Sequence, residues 1–110
     1  MKPRKLNIKT VPATDTNRAY RFWRDVFDLP QSGHESGRHL MIDGEDITFI
    51  SGPPTHNLEI LVRDHQTDLR KHLRNNFISI IDEPEMRFGH KIAFKIKDSE
   101  GNVITLEANQ

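Results

Sequence analysis

Apolar residues along this chain fall in short blocks, some spaced by two residues and some by three or four, with Gly, Pro, Asn and Asp between them. Ala19, Phe22, Trp23, Val26 and Phe27 recur at helical spacing and predict an amphipathic helix over 16–27. Thr14 or Asp15 is placed to cap its free N–H groups. Asp28 can take the left-handed conformation at its end, and Pro30 prevents continuation. A weaker helix over 65–77 rests on the ladder Leu69, Leu73 and Phe77, with Asp64 as its cap and Asn75 and Asn76 suited to its end. Elsewhere the period is two. Leu58, Ile60 and Val62 oppose Asn57, Glu59, Leu61 and Arg63; Ile104, Leu106 and Ala108 oppose Val103, Thr105 and Glu107; Phe94 and Ile96 oppose Ala93, Lys95 and Lys97. One face of each strand is apolar enough to pack on a helix, and the mixed face suits either solvent or a ligand cavity. Residues 7–11 form the poorest strand, because Lys9 disturbs its alternation. Residues 31–42 and 78–97 supply the remaining strands, with Gly33, Gly37, Pro84 and Gly89 at turns.

The order of elements repeats. Gly44-Glu-Asp-Ile-Thr48-Phe49 and Gly101-Asn-Val-Ile-Thr105-Leu106 are near copies, each preceded by a strand, an Asp and a helix that ends in Phe. The chain therefore reads as strand-helix-strand-strand twice, with Gly52-Pro53-Pro54 as the linker. Module one spans about 1–52 and module two about 53–110.

Composition narrows the function classes. A chain of 110 residues has room for one small domain and one core. Lys plus Arg equals Asp plus Glu, 16 each, so no net charge advertises a nucleic-acid partner. No apolar run approaches the roughly 20 residues of a membrane span, and no signal core follows the basic start. Without cysteine there is no disulfide, thiolate metal site or Cys nucleophile. A cytoplasmic single domain is expected.

Two stretches carry a family likeness. Asp15 to Pro30, with Phe22-Trp23 inside the helix and Asp28-Leu29-Pro30 at its end, resembles the first helix of vicinal oxygen chelate proteins, the superfamily of glyoxalases, bleomycin-resistance proteins and extradiol dioxygenases. Phe94-Lys-Ile-Lys-Asp98-Ser-Glu100-Gly101-Asn102-Val-Ile104 resembles that family's closing motif; Trp23, Asp28 and Ser99 stand where the family has Tyr, Gly and Pro. The resemblance implies an α+β fold of two βαβββ modules, forming a curled mixed-sheet cup with helices outside. It also implies a divalent metal held by His, Glu or Gln from the first and last strands of each module, with open positions for substrate. The corresponding positions here are Ile8 and Asn57, each seven residues before its Asp, and the paired threonines Thr48 and Thr105. Ile8 cannot coordinate a cation, Asn57 offers a neutral carbonyl, and threonine hydroxyls are weak ligands. The expectation is therefore the fold without a metal or other cofactor at the usual place.

Of six histidines, His34, His65 and His72 read as solvated in turns or on helices, and His90 carries no further signal. His56 adjoins a ligand-equivalent position and His39 lies on a strand, so an off-pattern metal site from these two is the histidine reading with most content. Glu59 and Glu107 fall on the inward mixed face, where two carboxylates suit a cationic ligand or proton transfer. The preferred reading pairs them instead with Arg63, Lys95 or Lys97 on the same face. Trp23 belongs to the helix stripe and reads as core. No catalytic residue is assigned. Three functions remain: the first is a metal-free protein that holds a small organic ligand at Ile8, Thr48, Asn57, Glu59, Thr105 and Glu107, and the second a metal-dependent or acid–base lyase, isomerase or dioxygenase of the same superfamily with relocated site residues. A filled cup serving only as an interaction partner is a third. The small core and open sheet edges predict a homodimer, with modules paired within or between chains.

Overall fold

The computed structural model describes residues 1–31 and 39–110. Gly33, His34 and Gly37 lie outside them. In chain order the elements are β1 (Pro3–Leu6), β2 (Thr10–Ala13), α1 (Thr16–Val26), β3 (Leu40–Ile42), β4 (Glu45–Ser51), β5 (Leu58–His65), α2 (Gln66–Asn75), β6 (Glu85–Arg87), β7 (Lys91–Lys97) and β8 (Val103–Asn109). They form a five-stranded sheet, β1-β5-β8-β7-β6, and a three-stranded sheet, β2-β4-β3, extended by a bridge from Gln31 to Leu40. In each module the first and last strands run parallel and side by side, as β2 with β4 and β5 with β8. This parallel pairing recurs in both halves of the chain, although among the described residues two strands follow α1 and three follow α2. The repeated glycines both take positive φ, 76° at Gly44 and 84° at Gly101. Asp43-Gly44, both left-handed, makes the tight hairpin between β3 and β4.

The residues 7–11 do not form one strand. The chain breaks at Asn7–Lys9: β1 pairs antiparallel with β5, whereas β2 turns away to pair with β4. This broken strand is the seam between the sheets. Asn7 holds the corner with its side chain, donating from Nδ2 to the Asn57 carbonyl (2.8 Å) and accepting at Oδ1 from the Glu59 N–H (2.8 Å). A side-chain amide thus continues the ladder where the backbone leaves it.

Helix α1 is capped by Asp15, whose carboxylate accepts from the Arg18 N–H, and it ends with Asp28 at φ 54°. Ala19, Trp23, Val26 and Phe27 are buried, with Trp23 edge-on to Phe27 at 4.9 Å and to Phe49 of β4 at 5.9 Å. Helix α2 departs from the sequence reading at both ends. Asp64 remains in β5, accepting from the Lys2 N–H, and His65 is the cap, its Nδ1 accepting from the Thr67 N–H. Leu69 and Leu73 are buried as expected, but the helix stops at Asn75, and Phe77 at φ 59° is 96% exposed. The left-handed turn redirects the chain and takes Phe77 off the ladder. His72 is not solvated either. Its Nε2 lies against the Val26 carbonyl of α1, which joins the helices on one side of the sheets.

Strand parity holds. Leu58, Ile60, Val62, Ile104, Leu106, Ala108, Phe94 and Ile96 are buried toward the helices in one continuous core with Leu6, Trp23 and Phe27. The fold is α+β, with a curled sheet and helices on one face, and the sheets do not close into a barrel.

Candidate functional site

The turn between β7 and β8 is tied to α1 and β2 by buried hydrogen bonds. Asp98 is buried and accepts four hydrogen bonds: from Trp23 Nε1 (3.0 Å) and Asn102 Nδ2 (2.8 Å) at Oδ2, and from the Glu100 and Asn102 N–H groups (2.9 Å each) at Oδ1. Asn102, fully buried, also donates to the Pro12 carbonyl and accepts from the Thr55 N–H. Glu100 accepts from Arg18 and from the Asp15 N–H at the start of α1. The Arg18 hydrogen bond, helped by those from Asp15 and Ser99, lowers the Glu100 carboxyl to about 2. The closing motif therefore acts in packing, by joining the β7–β8 turn to α1 and β2. Trp23 is core, as expected, but its indole N–H also has this structural acceptor.

The opposite faces of the strands form the concave side. Register places Glu59, Thr105 and Lys95 in one row across β5, β8 and β7, and Leu61, Glu107 and Ala93 in the next. The two glutamates do meet, but not through the cations expected. Arg87 of β6 donates from Nη1 to Glu59 Oε1 (2.5 Å) and to Glu107 Oε2 (2.8 Å). Arg63, Lys95 and Lys97 are not the partners. The link measures the curl of the sheet. In a flat sheet β6 and β5 stand three spacings of about 4.8 Å apart, and Arg87 lies in the row of Lys91, four residues along β7 from the row of Lys95 and Glu59, too far for the two side chains to meet. Curvature brings the edge strand over the centre. Both hydrogen bonds raise the Arg87 pKa, against the effect of its partial burial, and keep it a cation. Arg87 was missed because its face becomes readable only when Phe88-Gly89-His90 is recognised as the hairpin turn that sets Arg87 opposite Lys91.

A cavity of about 240 Å³ opens at the seam, lined by Lys5, Asn7, Glu59 and Leu61. Of the positions equivalent to family metal ligands, Ile8 lies in the break between β1 and β2, and Asn57 just before β5; Thr48 lies within β4 and Thr105 within β8. The Asn7–Asn57 hydrogen bond brings Ile8 next to the start of β5, and Thr105 neighbours Glu59. Thr48 pairs with Thr10 in the other sheet. This donor set, a hydrocarbon, an amide and two hydroxyls, does not fit a transition metal. Among the described residues no group of three or more His, Asp or Glu is placed to hold a cation. His56 is exposed before β5, whereas His39 precedes β3 with a buried Nδ1 that has no hydrogen-bond partner.

No protein-family model and no curated protein sequence matches the chain. Solved structures do. An integron cassette protein from the mobile metagenome of V. cholerae superposes with a TM-score of 0.74 at 19% identity, covering 100% of this chain and 98% of that one. Lactoylglutathione lyase from Agrobacterium tumefaciens gives 0.70 at 14% identity, covering 90% and 89%. The fosfomycin resistance protein FosX from Listeria monocytogenes, complexed with Mn(II) and sulfate, gives 0.67 at 15% identity, covering 92% and 86%. The chain shares the fold of these proteins, the glyoxalase-like arrangement that its sequence motifs imply. Among the described residues no helix is long and apolar enough to cross a membrane.

Proposed function

We propose that this protein is a vicinal oxygen chelate protein that holds a small organic molecule on its concave face without the superfamily's usual metal. The observation that carries the reading is the seam cavity between Lys5, Asn7, Glu59 and Leu61. It offers charged groups above an apolar wall, the composition of small-ligand sites, and its volume suits a compact ligand. Ile8, Thr48, Asn57 and Thr105 supply no set of donors that competes for a transition metal. Two structural neighbours, named for lactoylglutathione cleavage and fosfomycin resistance, are both proteins of small-molecule chemistry. The relocated-site enzyme is less favoured, because Arg87 already occupies the space between Glu59 and Glu107 and engages an oxygen of each. The reading includes a cytoplasmic homodimer. Strand β6 is a short open edge, and Met86 within it and Phe88 just after it are 63% and 101% exposed, a surface suited to a second copy. The test is metal analysis of protein purified without chelator. Substoichiometric transition metal is expected; one tightly bound ion per chain would overturn the reading.

A further inference from the structure

The seam cavity is lined by opposite charges that do not neutralise each other. Lys5 of β1 and Glu59 of β5 face it, yet they form no ion pair, and among the described residues Lys5 has no other carboxylate partner. Glu59 gives Oε1 to Arg87, which leaves Oε2 available to a ligand. Asn7 commits its amide to the backbone of β5 and fixes the wall rather than reading a ligand. Leu61, the register partner of Lys5, supplies apolar surface between the charges.

Glu59 is two residues before Leu61 on the same strand face, so Lys5 and Glu59 are diagonal neighbours, about 7–8 Å apart at the backbone. Two charge-assisted contacts of about 2.8 Å each leave room for a ligand whose own charges are a few bonds apart. Resting on the small-molecule reading above, we infer that the cavity takes a small zwitterion of the apolar α-amino acid class. Its ammonium donates to Glu59, its carboxylate accepts from Lys5, and its side chain lies on Leu61. Arg87 contributes indirectly: by holding one oxygen of Glu59 it aims the other at the cavity. A ligand with a single charge satisfies one wall and leaves the other unpaired, which is how the site discriminates.

The test is titration of the full chain with L-leucine, leucinamide and N-acetyl-leucine, read by amide chemical shifts. Leucine is expected to move the amides of Lys5, Asn7, Glu59 and Leu61, and each blocked analogue to bind at least about tenfold more weakly. Glu59→Gln should weaken leucine and leucinamide but spare N-acetyl-leucine, whereas Lys5→Met should do the reverse with respect to the two analogues. Both positions are solvent-accessible, and Glu107 still holds Arg87 in the glutamine variant, so both variants are expected to fold. Equal binding of all three compounds, or analogues that ignore the two variants, overturns the inference. If leucine is silent while unrelated fragments move the same amides, the inference fails and the small-molecule reading stands. If no compound moves them, both fail.

Discussion

Asp98 offers the sharpest test of how the β7–β8 turn is joined to α1. Replacing it by Asn keeps one carbonyl oxygen for the Glu100 and Asn102 N–H groups, but turns an NH2 toward Trp23 Nε1 and Asn102 Nδ2. Two buried donors then lose their acceptor. At about 1–3 kcal/mol for each unsatisfied group, and with some relaxation, Asp98→Asn should cost about 3 kcal/mol. A domain of this size is stable by about 5–15 kcal/mol, so the variant still folds. Trp23→Phe removes one of those donors and trims a fully buried ring, at a cost of about 2 kcal/mol. Because both changes act on one hydrogen bond, the double variant should cost about 1–2 kcal/mol less than the two summed. Urea unfolding followed by far-ultraviolet circular dichroism gives all three values, and a constant m-value shows that the states compared are the same. The reasoning is refuted if Asp98→Asn lies within about 0.5 kcal/mol of the unchanged protein, or if the two costs simply add.

Other outcomes follow from the same contacts. Glu100 has a folded carboxyl at about 2, below the ordinary 4.5, so its contribution is full above pH 4.5 and fades as the pH falls toward 2. After allowance for solvent around Arg18 it is about 2 kcal/mol, and Glu100→Gln should flatten the stability profile in that window; an unaltered slope would count against the pairing. Arg87→Met leaves two neighbouring carboxylates without their shared cation, so urea unfolding at neutral pH should report a loss of about 1 kcal/mol; an unchanged midpoint would exclude the bridge. Gly101→Ala brings its Cβ only into ordinary contact with Pro54 (3.6 Å) but must adopt φ 84°, so denaturation should report a loss of about 1–2 kcal/mol, and a neutral result would contradict the turn geometry.

Much of the frame was legible because it rests on local signals. The Asp15 cap, the stripe through Trp23, the parity of β5, β7 and β8 and the Gly44/Gly101 repeat all follow from short-range periodicity and turn chemistry. What stayed hidden depends on partners far apart in sequence. The break at Asn7 is held by a side chain reaching Asn57 and Glu59, 50 and 52 residues onward, which no alternation pattern encodes. Phe77 looked like a fourth-residue repeat because hydrophobic spacing does not report where a helix ends. Arg87 was overlooked because sheet curvature, not sequence distance, brings it to Glu59. The paired carboxylates were found by parity, but their cation came from the opposite edge of the sheet.

The central claim is that the concave face holds a small molecule by its own side chains, without a metal. It is tested most directly by recording amide shifts during titration with a panel of charged small-molecule fragments, once in plain buffer and once with excess chelator. The account expects at least one fragment to move Lys5, Asn7, Glu59 and Leu61, with the same affinity in both buffers. Shifts that vanish with chelator, or a panel that leaves these amides still, would contradict it.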